Sequence, residues 1–178
     1  LSNPLGHGSY ACDNALVPDP AGAVSIRDVY AAAGDTSGPF TTPALFDTKT
    51  GQLVSNESTN ILKLLNSAFD TVAKHPERNF YPSALATDLQ TLNDELVYPH
   101  VNNGVYRSGF AQSQQAYDAA VASLFAALED LDGRLATQRF LGGAKFSWLD
   151  LRLYHTLVRF DPVYVVYCPR AASVAFSS

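Results

Sequence analysis

The side chains able to make or break bonds are few in this chain and widely spaced. Its two cysteines, Cys12 and Cys168, stand near opposite ends and form no Cys-x-x-Cys and no zinc spacing. Cys12 sits in Ala11-Cys12-Asp13-Asn14, beside an anion that disfavours a thiolate and with no helix after it to favour one. Cys168 sits in Tyr167-Cys168-Pro169-Arg170. Two thiols make no disulfide framework, and they fit an intracellular chain better than a secreted one. The four histidines, His7, His75, His100 and His155, show neither His-x-x-x-His nor His-Glu-x-x-His. They read as unrelated surface or core residues, with no metal site. Two short words carry more. Glu57-Ser58 opens a helical stretch, and a helix N-terminus offers unpaired amides and partial positive charge to a carboxylate. The same pair also fits a plain cap with an acidic first turn. Ser147-Trp148-Leu149-Asp150 is a Ser-x-x-Asp capping box, a structural signal in which each residue answers an amide of the other.

These words need elements to hold them. Residues 1–22 carry Gly, Pro, Asn and Asp without lasting periodicity and read as loop. The stretch 24–33 is helix-like, with Ile26, Val29 and Tyr30 on one face and Gly34 as its stop. Thr41 to Phe46 reads as a strand led in by Pro43, Asp47-Thr48-Lys49-Thr50-Gly51 as a turn, and Gln52-Leu53-Val54-Ser55 as a second strand. Residues 41–55 are therefore a hairpin. A helix is predicted over 57–69, where Ile61, Leu65 and Phe69 recur every four residues. After a polar linker at 75–82, everything is helical in pattern. One helix is predicted over 83–100, interrupted at Asn102-Asn103-Gly104, and a long one over 113–136. The last, 148–160, is apolar nearly all round, which predicts burial in the middle of a domain. Beyond Tyr164 the pattern fades, and the tail reads as disordered.

Composition bounds what such elements can do. The chain has 178 residues, 47% of them hydrophobic with ten Phe and nine Tyr, enough for a core in one domain or two small ones. Charged residues are only 16%, and the net charge is −5. No basic face exists to neutralise a run of phosphates, which excludes nucleic acid as a partner. No apolar run approaches the roughly 20 residues that span a bilayer, so no membrane is expected either. Collagen, general disorder and coiled coil are excluded as well. The chain has no Met and opens at Leu1. It reads as a fragment or a processed product, with any targeting segment before Leu1 out of sight.

A short αββα part followed by an all-helical part, with a capped apolar helix, is the plan of a glutathione transferase. The resemblance becomes close at particular words: Thr42-Pro43-Ala44-Leu45-Phe46-Asp47, Ser55-Asn56-Glu57-Ser58, Val101-Asn102-Asn103-Gly104-Val105-Tyr106, and Leu157-Val158-Arg159-Phe160-Asp161-Pro162-Val163-Tyr164. These resemble the xi-class transferases, the glutathionyl-hydroquinone reductases, from about Ile26 to Tyr164. The tail after Tyr164 departs from the family. The resemblance implies a partial thioredoxin-like, glutathione-binding α/β domain over 1–74, lacking the first strand and helix. An incomplete all-α glutathione-transferase C-terminal domain follows over 83–168, then a tail at 169–178. It implies glutathione as co-substrate with no metal, aromatic quinol conjugates as partners, and a homodimer. The setting would be cytoplasmic, or a plastid if a transit peptide preceded Leu1.

Residue roles follow from the same resemblance. Pro43 takes the cis form, and Thr42, where the family has Val, pairs its backbone with the cysteinyl backbone of glutathione as a one-residue β-addition. Ser58 receives the γ-glutamyl carboxylate on its amide and hydroxyl, and Glu57 holds the ammonium of the same group. Tyr106 and Tyr164 line the aromatic-substrate pocket, where a phenol can stack on a quinol ring and donate to its developing oxyanion. The alternative for this pair is two core tyrosines. Tyr98 is assigned to the core, Arg159 and Asp161 to a structural ion pair, and Ser147 and Asp150 to the cap. The family's nucleophile is a Cys in a Cys-Pro-Trp-Ala word at the start of its first helix, where the helix dipole favours the thiolate. No such word occurs in this chain, so no catalytic residue is assigned. The family's activity is thiol exchange on a glutathionyl-hydroquinone. This chain is expected to be part of such an enzyme without the nucleophile. The alternative is a non-catalytic glutathione-fold protein that binds ligands or a partner.

Overall fold

Ser25 and Asp28 start the first helix, α1 (Ile26–Ala32), by a Ser-x-x-Asp box of their own. The Asp28 carboxylate accepts the Ser25 amide at 2.8 Å, the Ser25 hydroxyl at 3.0 Å and the Val24 amide at 3.0 Å. These donors, the Ser25 amide foremost, hold the Asp28 carboxyl below the ordinary carboxylate range. The helix stops where Gly34 takes a φ of +85°, which a side chain would resist. It buries Ile26 and Tyr30. Strands β1 (Leu45–Asp47) and β2 (Gln52–Ser55) then pair antiparallel. Their turn is fixed by the Asp47 carboxylate, which accepts the Lys49 amide at 2.8 Å, and by Gly51 at a φ of +69°. Partners run Leu45 with Ser55 but Phe46 with Leu53, so Val54 is the extra residue of a bulge. Helix α2 (Ser58–Ser67) follows directly. It begins one residue later than the pattern predicts, because Glu57 is its cap. No residue of α2 is buried, and Leu65, together with Phe69 just beyond the helix, is exposed. The apolar stripe that predicts a covered face leans on β2, and a two-stranded hairpin is too narrow to cover it.

This computed structural model describes residues 22–166. The described chain forms two compact units that part between Thr71 and Val72. Cys12, Cys168, the N-terminal loop through residue 21 and the tail at 169–178 lie outside the described residues.

The elements of the second unit are all helical. A 3-10 turn (Ser83–Leu85) leads into α3 (Ala86–Leu92), which widens without a break into a π segment (Asn93–Asn102). The single regular helix predicted over 83–100 is therefore three kinds of turn in series. Pro99 lies inside the π segment. Proline has no N–H to give and crowds the preceding turn, and a wider turn relieves both demands. The Asn103 amide closes the segment on the Tyr98 carbonyl, five residues back, at 2.8 Å. Helix α4 (Gly104–Gly109) starts after one intervening residue. Ser113 caps α5 (Gln114–Thr137), its hydroxyl accepting the Ala116 amide at 3.2 Å.

Helix α6 (Trp148–Leu157) runs into a second π turn (Phe160–Val165). Leu89, Val97, Val101, Leu124, Leu131 and Leu149 centre the core of this unit. One face of α6 joins that core through Trp148, Leu149 and Leu153, while Tyr154, Leu157 and the following Val158 are exposed. This corrects the reading of a helix buried on all sides. The buried face is stitched to the first π segment by the Asn102 amide, which donates to Thr156 Oγ1 at 2.7 Å and to the Arg152 carbonyl at 3.2 Å. A two-stranded sheet with helices, then an all-helical part, is the α/β-then-all-α order that the sequence predicts. Among the described residues no helix is long and apolar enough to cross a membrane.

Candidate functional site

The first unit gathers four of the expected site residues at one end of the hairpin. Leu45 opposite Ser55 closes the ladder there. Thr42 and Pro43 precede β1 by a few residues, and Glu57 and Ser58 follow β2, so both pairs flank the same end. Thr42, Pro43 and Glu57 are exposed and Ser58 is half-buried. The Thr42–Pro43 peptide is cis, as expected; so is Gly38–Pro39.

The start of α2 sorts its donors in a way the sequence does not reveal. Glu57 turns its carboxylate onto its own helix, with Oε2 accepting the Thr59 amide at 2.6 Å and the Asn60 amide at 3.4 Å. Its amide donates to Ser55 Oγ at 3.1 Å. The Ser58 amide and hydroxyl donate to nothing among the described residues. One side of this end can thus receive an anion at Ser58. The other side holds a carboxylate whose Oε1 remains open to a cation.

The second unit brings Tyr106, on α4, against Tyr164, in the second π turn. The Tyr164 hydroxyl donates to the Tyr106 hydroxyl at 3.3 Å. The rings meet edge-on, 5.5 Å between centroids at 78°. Tyr164 is 5% exposed and Tyr106 is 44% exposed, so only the second is open to solvent. Phe110 lies nearly parallel to Tyr106, at 6.4 Å and 11°. The Tyr164 amide reaches back five residues to the Arg159 carbonyl at 3.2 Å, and this wide turn sets Arg159 over the Tyr164 ring at 5.5 Å. The Arg159 Nε donates to the His155 carbonyl at 2.7 Å. Arg159 therefore makes no ion pair with Asp161, contrary to expectation; the helix end and the ring occupy its guanidinium. Tyr98 also departs from its expected place in the core. It is exposed and lies under the Arg152 guanidinium at 4.8 Å.

The cap of α6 is built around Asp150. Its Oδ2 accepts the Ser147 amide at 2.8 Å and the Ser147 hydroxyl at 2.6 Å, while Oδ1 accepts the Leu141 amide at 2.8 Å. Three residues escape a reading of sequence words. Asp28 repeats the Ser-x-x-Asp spacing and was visible in the same way. Tyr30 and Phe110 look like ordinary apolar residues in the pattern. A groove of about 500 Å³ runs between α1 and β1, lined by Ile26, Val29, Ala32, Leu45 and Phe46 among others, and contains none of the expected site residues. Among the described residues no three His, Cys, Asp or Glu come together to hold a metal.

The chain is similar to known proteins along most of its length. Residues 114–170 match the glutathione S-transferase C-terminal domain family. The chain is 47% identical over 131 residues to the glutathionyl-hydroquinone reductase YqjG of Escherichia coli, across 74% of this chain and 39% of that protein. It is 42% identical over 151 residues to the glutathionyl-hydroquinone reductase PcpF of Sphingobium chlorophenolicum, across 84% of this chain and 48% of that protein. The chain thus spans less than half the length of these relatives. Among solved structures, the xi transferase of Phanerochaete chrysosporium superposes with a TM-score of 0.83 at 40% identity, over 91% of this chain and 56% of that one. The Saccharomyces cerevisiae xi transferase ECM4, solved with glutathione, gives 0.81 at 32% identity, over 91% and 54%.

Proposed function

Because the chain belongs to the xi-class glutathione transferases, the glutathionyl-hydroquinone reductases, we propose that its hairpin end is a glutathione clamp and its phenol pair one wall of an aryl pocket. The chain then carries substrate-binding parts of a glutathione-dependent thiol transferase that reduces glutathionyl-hydroquinones. The observation that carries this reading is the unspent pair of Ser58 donors beside the Glu57 carboxylate, on the same hairpin end as Thr42. A γ-glutamyl head has one carboxylate and one ammonium, and these two residues supply one partner for each. The Thr42 backbone, ahead of Pro43, is left to pair with the cysteinyl unit. The exposed Tyr106 ring, backed by Tyr164, suits a flat quinol.

In the full reaction an enzyme thiolate attacks the glutathionyl sulfur. A sulfur–sulfur bond forms as the carbon–sulfur bond breaks, and the ring carbon takes up a proton to give the hydroquinone. A second glutathione thiolate then attacks the mixed disulfide, which frees the enzyme thiolate and glutathione disulfide. The phenol pair serves the first step by donating to a quinol oxygen as charge develops there. A second reading, a non-catalytic glutathione-binding protein, uses the same clamp without the thiolate step. The family's homodimer and a cytoplasmic setting belong to the first reading.

Calorimetry with glutathione tests the clamp. Glu57→Gln keeps an oxygen for the Thr59 and Asn60 amides and removes only the charge that faces the ammonium. Affinity should fall by about 1–2 kcal/mol, the low end for a charged hydrogen bond, because the carboxylate is exposed. Equal and unsaturable heats from both proteins would overturn the clamp.

A further inference from the structure

Tyr30 is 0% exposed, yet its phenol is polar and must find a partner. It reaches across to the Thr41 carbonyl and donates to it at 2.8 Å, with Thr41 Oγ1 at 3.5 Å. Phe40 packs edge-on against its ring at 5.5 Å and 74°. Thr41 is the residue directly before Thr42-Pro43, and this stretch belongs to no helix or strand. No other hydrogen bond holds residues 41–43 among the described residues. One buried hydroxyl on α1 is therefore the polar anchor of the segment whose backbone would face glutathione.

We propose that Tyr30 is a positioning residue for the glutathione clamp: by fixing the Thr41 carbonyl it aims the Thr42 N–H and C=O at the cysteinyl backbone of the ligand. The inference rests on the clamp reading above. The physical reason is preorganisation. A one-residue backbone pairing needs its donor and acceptor set in direction before the ligand arrives; otherwise ordering them subtracts from affinity. The γ-glutamyl head, held by Glu57 and Ser58 on the other side of the hairpin end, does not need the Thr41 anchor. Tyr30 should therefore matter to part of the ligand only.

Tyr30→Phe removes one oxygen and keeps the buried ring. The test is NMR titration of the full chain with two ligands: glutathione, and γ-glutamylmethylamide, which has the same head but no cysteinyl carbonyl. Tyr30→Phe should weaken glutathione by about three- to tenfold, the range for one neutral hydrogen bond, and leave γ-glutamylmethylamide within about twofold. Without ligand, the Thr41, Thr42 and Ala44 amides should become more mobile while those of α2 hold. Ile26→Val, which loosens the same helix without touching Thr41, should leave the ratio of the two affinities at the parent value. Equal weakening of both ligands by Tyr30→Phe, or a matching change of ratio in Ile26→Val, would reduce Tyr30 to a fold residue and overturn the proposal. So would unaltered mobility at Thr41 and Thr42. A parent that binds neither ligand refutes the clamp and this role together, whereas a parent and a Tyr30→Phe variant that bind glutathione equally refute the role alone.

Discussion

Replacing Asp150 with Ala should do far more damage than replacing its capping partner, Ser147. The sequence pattern treats the two as equals, but the geometry does not. Asp150 alone accepts the Ser147 amide, the Ser147 hydroxyl and the Leu141 amide, all between 2.6 and 2.8 Å. Ser147 and Leu141 are 1% and 2% exposed, so water cannot replace the lost acceptor. Each buried amide left unpaired costs about 1–3 kcal/mol, which puts Asp150→Ala at about 2–6 kcal/mol. Ser147→Ala removes a hydroxyl that donates to a carboxylate still satisfied by two amides, and takes from the Asp150 amide alone its capping-box acceptor. Its cost should be about 1–2 kcal/mol. Asp150→Asn keeps one good acceptor and should fall between them. Trp148, the chain's single tryptophan, is the first residue of the capped helix and lies in the core, so its fluorescence reports the event directly. With a urea slope of about 1–2 kcal/mol per molar, the Asp150→Ala midpoint should move down by about 1 M or more. Coincident midpoints for Asp150→Ala and Ser147→Ala would refute the argument, since they would mean that the Leu141 amide needs no acceptor.

Gly133 sits inside α5 with open space where a Cβ would go and a helical φ, so Gly133→Ala should raise stability by about 0.5–1 kcal/mol in the same urea assay. A lower midpoint would show that the glycine serves a contact outside the described residues. Acid should loosen the first unit. The carboxyls of Asp28, Asp35 and Asp47 are each held below the ordinary range, first by the amides of Ser25, Ser37 and Lys49 respectively. A depressed folded value means stability fully present above the unfolded value near 3.9 and lost as pH falls through the folded one. The α1 amides should therefore lose protection below about pH 4, and Asp28→Asn should blunt that response; an unchanged profile would count against it. Finally, this chain should not reduce a glutathionyl-hydroquinone above the protein-free rate with excess glutathione. Neither Cys12, beside Asp13, nor Cys168 has the Cys-Pro-Trp-Ala helix start that favours a thiolate. Turnover abolished by Cys12→Ser would prove this wrong, and turnover that survives loss of both cysteines would indicate direct attack by free glutathione.

Much of the fold is legible because period and punctuation agree. Asp47-Thr48-Lys49-Thr50-Gly51 is a turn in the sequence and in space, for the Asp47 carboxylate and the left-handed Gly51 make it one. Ser147 marks a helix start to the residue, and Ser113 caps a helix that starts one residue later than predicted. What escapes is whatever depends on a turn of unusual width. Apolar spacing at Leu85, Leu89, Leu92 and Leu96 says helix, and helix it is. It does not say that the chain widens into a π segment around Pro99, because a five-residue and a four-residue turn share most of a short apolar pattern. Exposure is a second blind spot. Leu157 and Val158 make the last predicted helix look buried on all sides, yet hydrophobicity alone cannot name the element that covers each face.

At the site, the residue types are legible and the resemblance implies a role for each, but the partner of each polar atom is not. Glu57 and Ser58 stand out as words, yet which of their atoms stay open is decided by where the Glu57 carboxylate turns. Once Oε2 has taken the Thr59 amide at 2.6 Å, the open donors are those of Ser58 and the open acceptor is the other Glu57 oxygen. Likewise Arg159 and Asp161, two apart with opposite charges, suggest a pair. The π turn instead brings residues five apart into line, and the guanidinium settles over Tyr164. Tyr106 and Tyr164 meet for the same reason, at the join of two elements 58 residues apart in sequence. A carboxylate near amides, or a cation near a ring, has several partners within reach, and spacing cannot choose among them. Only the backbone path of α2 and of the second π turn makes that choice.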